Sequence, residues 1–166
     1  MNKLSLPLTR FVHENLSIVM CFAYSQEPLS EMVAKTFSGE WKYLHRALFE
    51  ISTERAEKAC LELALFLRMI DEEEMIAKSN SLRMHGPDFG KLLMEDGSER
   101  VLTLRDVSNK IIHSKTREWN LSAKPPSPFL ICHTGDDGKR LPPEMRWIRA
   151  EIDLEAVAAE CGQLMS

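Results

Sequence analysis

No apolar run in this chain approaches the length of about 20 residues that a membrane-spanning helix needs, so none is expected to cross a bilayer. The first ten residues carry one lysine but no continuous apolar stretch, which argues against a secretory leader. Cysteine is scarce and scattered. Cys21, Cys60, Cys132 and Cys161 form no Cys-x-x-Cys pair, and a structural zinc site needs such close spacing. Cys21, Cys60 and Cys161 sit among apolar residues and read as small core hydrophobes, in a reducing, cytoplasmic setting. There is no phosphate-binding loop, no Gly-x-Ser-x-Gly and no dinucleotide fingerprint. Asp136-Asp137 beside Gly138 lacks the remaining ligand positions of a calcium loop. His85 and His133 each stand without a second ligand nearby in sequence. No metal and no cofactor are expected. The net charge of −4 gives no overall pull toward nucleic acid or an anionic membrane. Internal repeats and low-complexity segments are absent as well.

What is present fits one domain spanning residues 1–166, with 44% apolar and 28% charged residues. Leu8, Val12, Leu16, Val19 and Ala23 predict a helix over 8–24, ended by Gln26-Glu27-Pro28. A shorter helix follows over about 29–37, closed by Ser38-Gly39. The longest element is expected from about Glu40 to Glu74. Trp41, Leu44, Leu48 and Ile51 open its stripe, and Ala56, Ala59, Leu63, Phe66 and Ile70 continue it after a shift in phase. From Glu57 to Ile70 apolar residues occupy more than one face, as in the central rod of a bundle. Glu54 and Arg55, at the phase shift, read as a surface pair.

Residues 77–90 read as a connection. Asp96-Gly97 between Lys91-Leu-Leu-Met-Glu and Arg100-Val-Leu predicts a small hairpin. After Lys115 comes a polar exit anchored by Trp119, then a stiff spacer at Pro125-Pro126-Ser127-Pro128. Phe129–His133 reads as a strand. Met145–Ile152 reads as its return, with Met145, Trp147 and Arg149 on one face. Asp153 caps a last helix over 154–165.

The segment Thr103–Lys115 concentrates the polar chemistry. Thr103 and Asp106 make a capping box, and Leu104, Val107, Ile111 and Ile112 form an apolar face. Arg105, Asn109 and His113 climb one side at steps of four. From Thr103 to Lys124 five bases (Arg105, Lys110, Lys115, Arg117, Lys124) face two acids. From Glu54 to Glu74 seven acids face three bases. Such a basic patch can bind phosphate, or it can meet the acidic run in the same molecule or in a dimer partner. His113 can act as a general acid or base, close the helix C-terminus, or be a satisfied polar residue.

Ser108-Asn109-Lys110-Ile111-Ile112-His113, preceded by Leu104-Arg105-Asp106, resembles the signature helix of the HEPN superfamily. Those are small helical-bundle proteins, many of them metal-independent endoribonucleases of bacterial toxin–antitoxin and phage-defence systems. Asn109 and His113 fall on the motif's Asn and His. Ser108 stands where the motif has Arg, and Arg105 lies outside the usual spacing, with seven residues between it and His113. Lys110 is the nearer cation, but a point charge replaces Arg's fork poorly. The elements above make a mainly α (α+β) fold, a helical bundle over about 8–115 with a long central helix plus one or two small hairpins late in the chain, and the resemblance makes that bundle HEPN-like. The resemblance implies a homodimer and a non-catalytic module for RNA or an antitoxin-type protein in a stress or defence system. Lys115, Arg117 and Lys124 would then serve binding. The alternative is a metal-independent endoribonuclease using His113 with Asn109, Arg105 and Lys110.

Overall fold

The computed structural model describes residues 8–37, 42–75, 86–121, 128–135, 142 and 145–164. The expected spacer at 125–127, the Asp136-Asp137 turn, Ser38-Gly39, His85 and Lys124 lie outside the described residues. The chain begins with α1 (Leu8–Thr36). A second helical run follows, made of short α2 (Lys42–His45), a π-helical turn (Arg46–Glu50) and α3 (Ile51–Glu74). Next come β1 (Gly90–Met94), β2 (Glu99–Val101), α4 (Leu104–His113), β3 (Thr116–Asn120), β4 (Phe129–His133), β5 (Trp147–Asp153) and α5 (Leu154–Gln163).

The expected helical bundle with small appended hairpins is corrected by the sheet. All five strands join one antiparallel sheet in the order β2-β1-β5-β4-β3. The hairpins are therefore not separate decorations, because β5 pairs with both β1 and β4 and welds them together. That weld joins Leu92 to Ala150, and no local pattern advertises a partner so far along the chain. β3 escapes a reading by composition because its inward residues are Arg117 and Trp119, between exposed Thr116, Glu118 and Asn120. It is a strand through its register with β4, from Thr116 opposite His133 to Asn120 opposite Phe129.

One face of the sheet is covered. Leu92, Met94, Leu130, Cys132, Ala150 and Ile152 are buried there and join the core built by Val12, Val19, Leu63, Leu67 and Ile70 of the helices. α3 packs on α1 and α4, and α5 packs on α1. His13 of α1 fixes the last contact through its Nε2, 3.0 Å from the Cys161 carbonyl. α4 has a particular task. It leaves β2 at one edge of the sheet and delivers the chain to β3 at the other. Five strands span about 19 Å between edges, and a ten-residue helix covers about 15 Å of that. The capping box forms as expected: Thr103 Oγ1 accepts from the Asp106 amide at 3.1 Å, and the Asp106 carboxylate accepts from the Thr103 amide at 3.1 Å. Asp153 caps α5, its Oδ1 accepting from the amides of Glu155 and Ala156.

Several boundaries differ from the sequence reading. α1 runs through Pro28 instead of ending there. A proline removes one helical hydrogen bond, and Ala, Glu, Leu, Met and Lys on either side sustain the helix. The second helical run is interrupted by a π turn at Arg46–Glu50, upstream of the expected phase shift at Glu54–Arg55, where the structure has regular α-helix. Cys21 is exposed; Cys60, Cys132 and Cys161 are buried. Met145 lies exposed ahead of β5. The expected alternation along that strand is broken by a bulge: Leu93 pairs with Arg149, but Met94 pairs with Trp147. The bulge leaves Ile148 over and turns Trp147 to the covered side beside Met94, where it packs against the core.

Gly90 fixes the start of β1. Its φ is +112°, and a Cβ there would run into the Glu151 carbonyl oxygen. Gly90→Ala is therefore expected to cost about 2 kcal/mol or more. Thr103→Ala, which removes half of the capping box, is expected to cost about 1 kcal/mol. Urea unfolding of both variants checks the order.

Candidate functional site

α4 buries its apolar side, and two of its polar candidates, Arg105 and Asn109, reach α3 from the flank. Arg105 Nε donates to Asp71 Oδ2 at 2.9 Å, and Asp71 is buried at 2% exposure. Asn109 Oδ1 accepts from Arg68 Nη1 at 3.3 Å, while Arg68 Nε holds Glu72 at 2.9 Å. The expected Arg105–Asn109–His113 side thus divides. Its first two members are tied to α3, and His113 stands exposed at the helix end. No hydrogen bond or ion pair of the His113 ring occurs among the described residues. Ser108, at the motif's Arg position, is fully buried and donates to the Leu104 carbonyl at 3.3 Å. An arginine there would have to enter the core.

Lys110 takes another direction. Its Nζ lies 4.7 Å from the centre of the Trp147 ring, a cation–π contact made available by the bulge in β5. Burial holds the Lys110 ammonium below its usual pKa range. Lys115 is exposed, and its backbone amide bonds the His133 carbonyl at 2.9 Å. Arg117 is not a free surface cation. Its Nε donates to Glu57 Oε2 at 2.7 Å and its Nη1 to Ser114 Oγ at 3.1 Å. The other oxygen of Glu57 accepts from Trp119 Nε1 at 2.6 Å. Trp119 also meets Phe22 of α1 edge-on, with centroids 5.0 Å apart. Lys124 lies outside the described residues.

Asp71, Glu57, Arg68 and Trp147 are therefore the residues around α4 that motif reading leaves out. The signal that could have found the first two was the opposite net charge of segments 54–74 and 103–124. Acids of α3 do meet basic residues within one molecule, Asp71 near its end with Arg105 of α4 and Glu57 near its start with Arg117 of β3.

The uncovered face of the sheet has a depression of about 530 Å³ floored by Phe129 and Ile131. Its carboxylates hold the fold: Asp88 Oδ1 accepts from the Gly90 amide, Asp153 caps α5, and Glu151 pairs with Arg149. Among the described residues no group of three metal-ligating side chains occurs, and no helix is long and apolar enough to cross a membrane. The buried cysteines are poor nucleophiles. Burial pushes the Cys60 thiol up, and pushes Cys132 and Cys161 up to about 12. Comparison with protein families, with curated proteins and with solved structures found no match.

Two predictions follow from these contacts. Glu57→Ala deprives both Arg117 and Trp119 of their acceptor, with the Arg117 and Glu57 side chains 17% and 27% exposed. It is expected to cost about 2 kcal/mol. Arg10→Ala breaks a pair exposed at 75% and 52% and is expected to cost under about 0.5 kcal/mol in the same unfolding measurement. The second concerns pH. A thiol with a raised native pKa keeps its proton in the fold while the unfolded chain loses it. Its stabilising contribution is complete below its ordinary pKa of 9.0 and is lost as pH rises toward 12. Each such thiol contributes a slope of up to about 1.4 kcal/mol per pH unit. Lys110 acts in the opposite sense and is outnumbered. Stability is expected to fall above pH 9.0, and Cys132→Ala is expected to remove one thiol's share of the slope.

Proposed function

We propose that this chain is a non-catalytic, cytoplasmic binding module that works as a homodimer and engages a protein partner. The observation that carries the reading is the engagement of two guanidinium groups, Arg105 of α4 by Asp71 and Arg117 of β3 by Glu57. Phosphodiester cleavage needs an acid and a base within reach of the reacting oxygens, and fixed positive charge on the phosphate. Arg105 and Asn109 bond to α3, and Lys110 lies over Trp147, so His113 lacks that company. Few cations are left around α4 to displace counterions from a nucleic acid, which favours protein over RNA as the partner. The stress- or defence-system setting belongs to the same reading and comes from the resemblance of the α4 sequence alone.

The endoribonuclease alternative rests on the exposure of His113. Purified chain incubated with tRNA and mRNA in EDTA separates the two. The substrates are expected to stay intact, and His113→Ala is expected to leave the chain's behaviour unchanged. Cleavage that disappears in His113→Ala and weakens in Lys110→Ala would overturn the non-catalytic reading. Tight RNA retention without cleavage at physiological salt would replace the protein partner by RNA.

A further inference from the structure

The antiparallel register gives the five-stranded sheet two faces of different character. One enters the core. The other carries Leu93, Val101, Phe129 and Ile131, set among charged cross-strand neighbours. No residue of this outward set is buried. Apolar surface left open inside a polar rim is characteristic of interaction sites.

The charge of the face is uneven. With Asp88 at the approach to β1, five acids (Asp88, Glu99, Glu118, Glu151, Asp153) meet two bases, Lys91 and Arg149. Both bases are already held, Lys91 by Glu99 at 3.4 Å and Arg149 by Glu151. At the depression of about 530 Å³ over Phe129 and Ile131, three acids stand against Lys91 alone. Asp88 uses Oδ1 for the Gly90 amide, and Glu151 uses Oε1 for Arg149. Their second oxygens bond no described residue.

We propose that this open sheet face takes the protein partner, and that the partner presents a basic segment whose lysine or arginine side chain enters the depression. The inference rests on the protein-partner part of the function proposed above and gives that partner its chemistry. Charge complementarity selects the occupant. An apolar stem can lie on Phe129 and Ile131 while its cationic head reaches Asp88 and Glu151, the way long basic side chains cover mixed surfaces. An acidic protein or a nucleic acid would bring more negative charge against surplus carboxylates. A bare metal ion needs a cluster of ligating side chains, and none occurs among the described residues. The face measures about 19 Å across the strands and about 17 Å along them, which is room for a short segment.

Fluorescence anisotropy of the full chain tests the assignment, with a short labelled peptide alternating arginine and alanine. Its counterpart carries glutamate for arginine. At about 0.15 M salt, where exposed charges more than about 8 Å apart are screened, the arginine peptide is expected to bind with a dissociation constant on the order of 100 µM. The glutamate peptide is expected not to bind. Ile131→Lys puts a cation on the floor of the depression and is expected to weaken binding at least about 10-fold. Asp88→Asn keeps an acceptor for the Gly90 amide and removes one charge, with an expected loss of about 3-fold. Glu73→Lys with Glu74→Lys reverses more charge, at the exposed end of α3, and is expected to change binding less than about 2-fold. Binding that follows Glu73 and Glu74 instead of Ile131 and Asp88 would overturn the sheet face and leave a protein partner standing. Equal binding of both peptides, or no binding of the arginine peptide at about 1 mM, would overturn the basic segment. A wild-type dimer in sedimentation that Ile131→Lys dissociates would give the face to a second copy and overturn the proposal. Failure of the underlying reading shows separately, as retention of RNA by the purified chain.

Discussion

Glu57 accepts hydrogen bonds from two side chains about sixty residues further along the chain. One oxygen holds the Arg117 guanidinium and the other the Trp119 indole, so a single carboxylate fastens the edge strand β3 to the central helix α3. The rest of the arrangement depends on that fastening. β3 is the last strand of the sheet, reached only after α4 has crossed from the opposite edge. Arg105–Asp71 and Arg68–Asn109 hold α4 itself to α3 along the way. An edge strand with two exposed charged or polar neighbours for each inward residue buries little apolar surface of its own. Its position is set by directed, charge-assisted bonds in a part-buried seam, where they are stronger than on an open surface.

That seam also governs what α4 can do. A helix carrying Arg, Asn, Lys and His at regular spacing reads as a reactive or phosphate-binding face. Once α3 lies against it, two of those side chains become structural. The third lies over an indole that a strand bulge has swung into place, and the fourth is left alone at the helix end. Fold and chemistry here compete for the same residues. Burial of Ser108 makes the same point at the position where a nuclease of the HEPN type would carry its arginine.

At the other end of the same two helices, beyond Ala23 and ahead of Ala56, no described residue is buried. The contrast between the two ends of one pair of helices separates the part that enters the core from the part that does not.

Local patterns in the sequence determined the capping box at Thr103, the span of α4, the Asp96-Gly97 hairpin, β4 and the capped C-terminal helix. In each of these the residues that decide the conformation lie within a few positions of one another. The central helix was legible from its two-sided apolar face, and the charge contrast between 54–74 and 103–124 already hinted at an internal pairing. Only the tertiary structure decided that the strands form one sheet, that TREWN is a strand, that Trp147 turns to the helices, and that Arg105 and Arg117 are engaged. Those outcomes depend on partners tens of residues away, and pairing energy between distant segments leaves no periodicity in either one alone. Side chains that look free in a line of letters acquire their roles from whichever surface the fold brings against them.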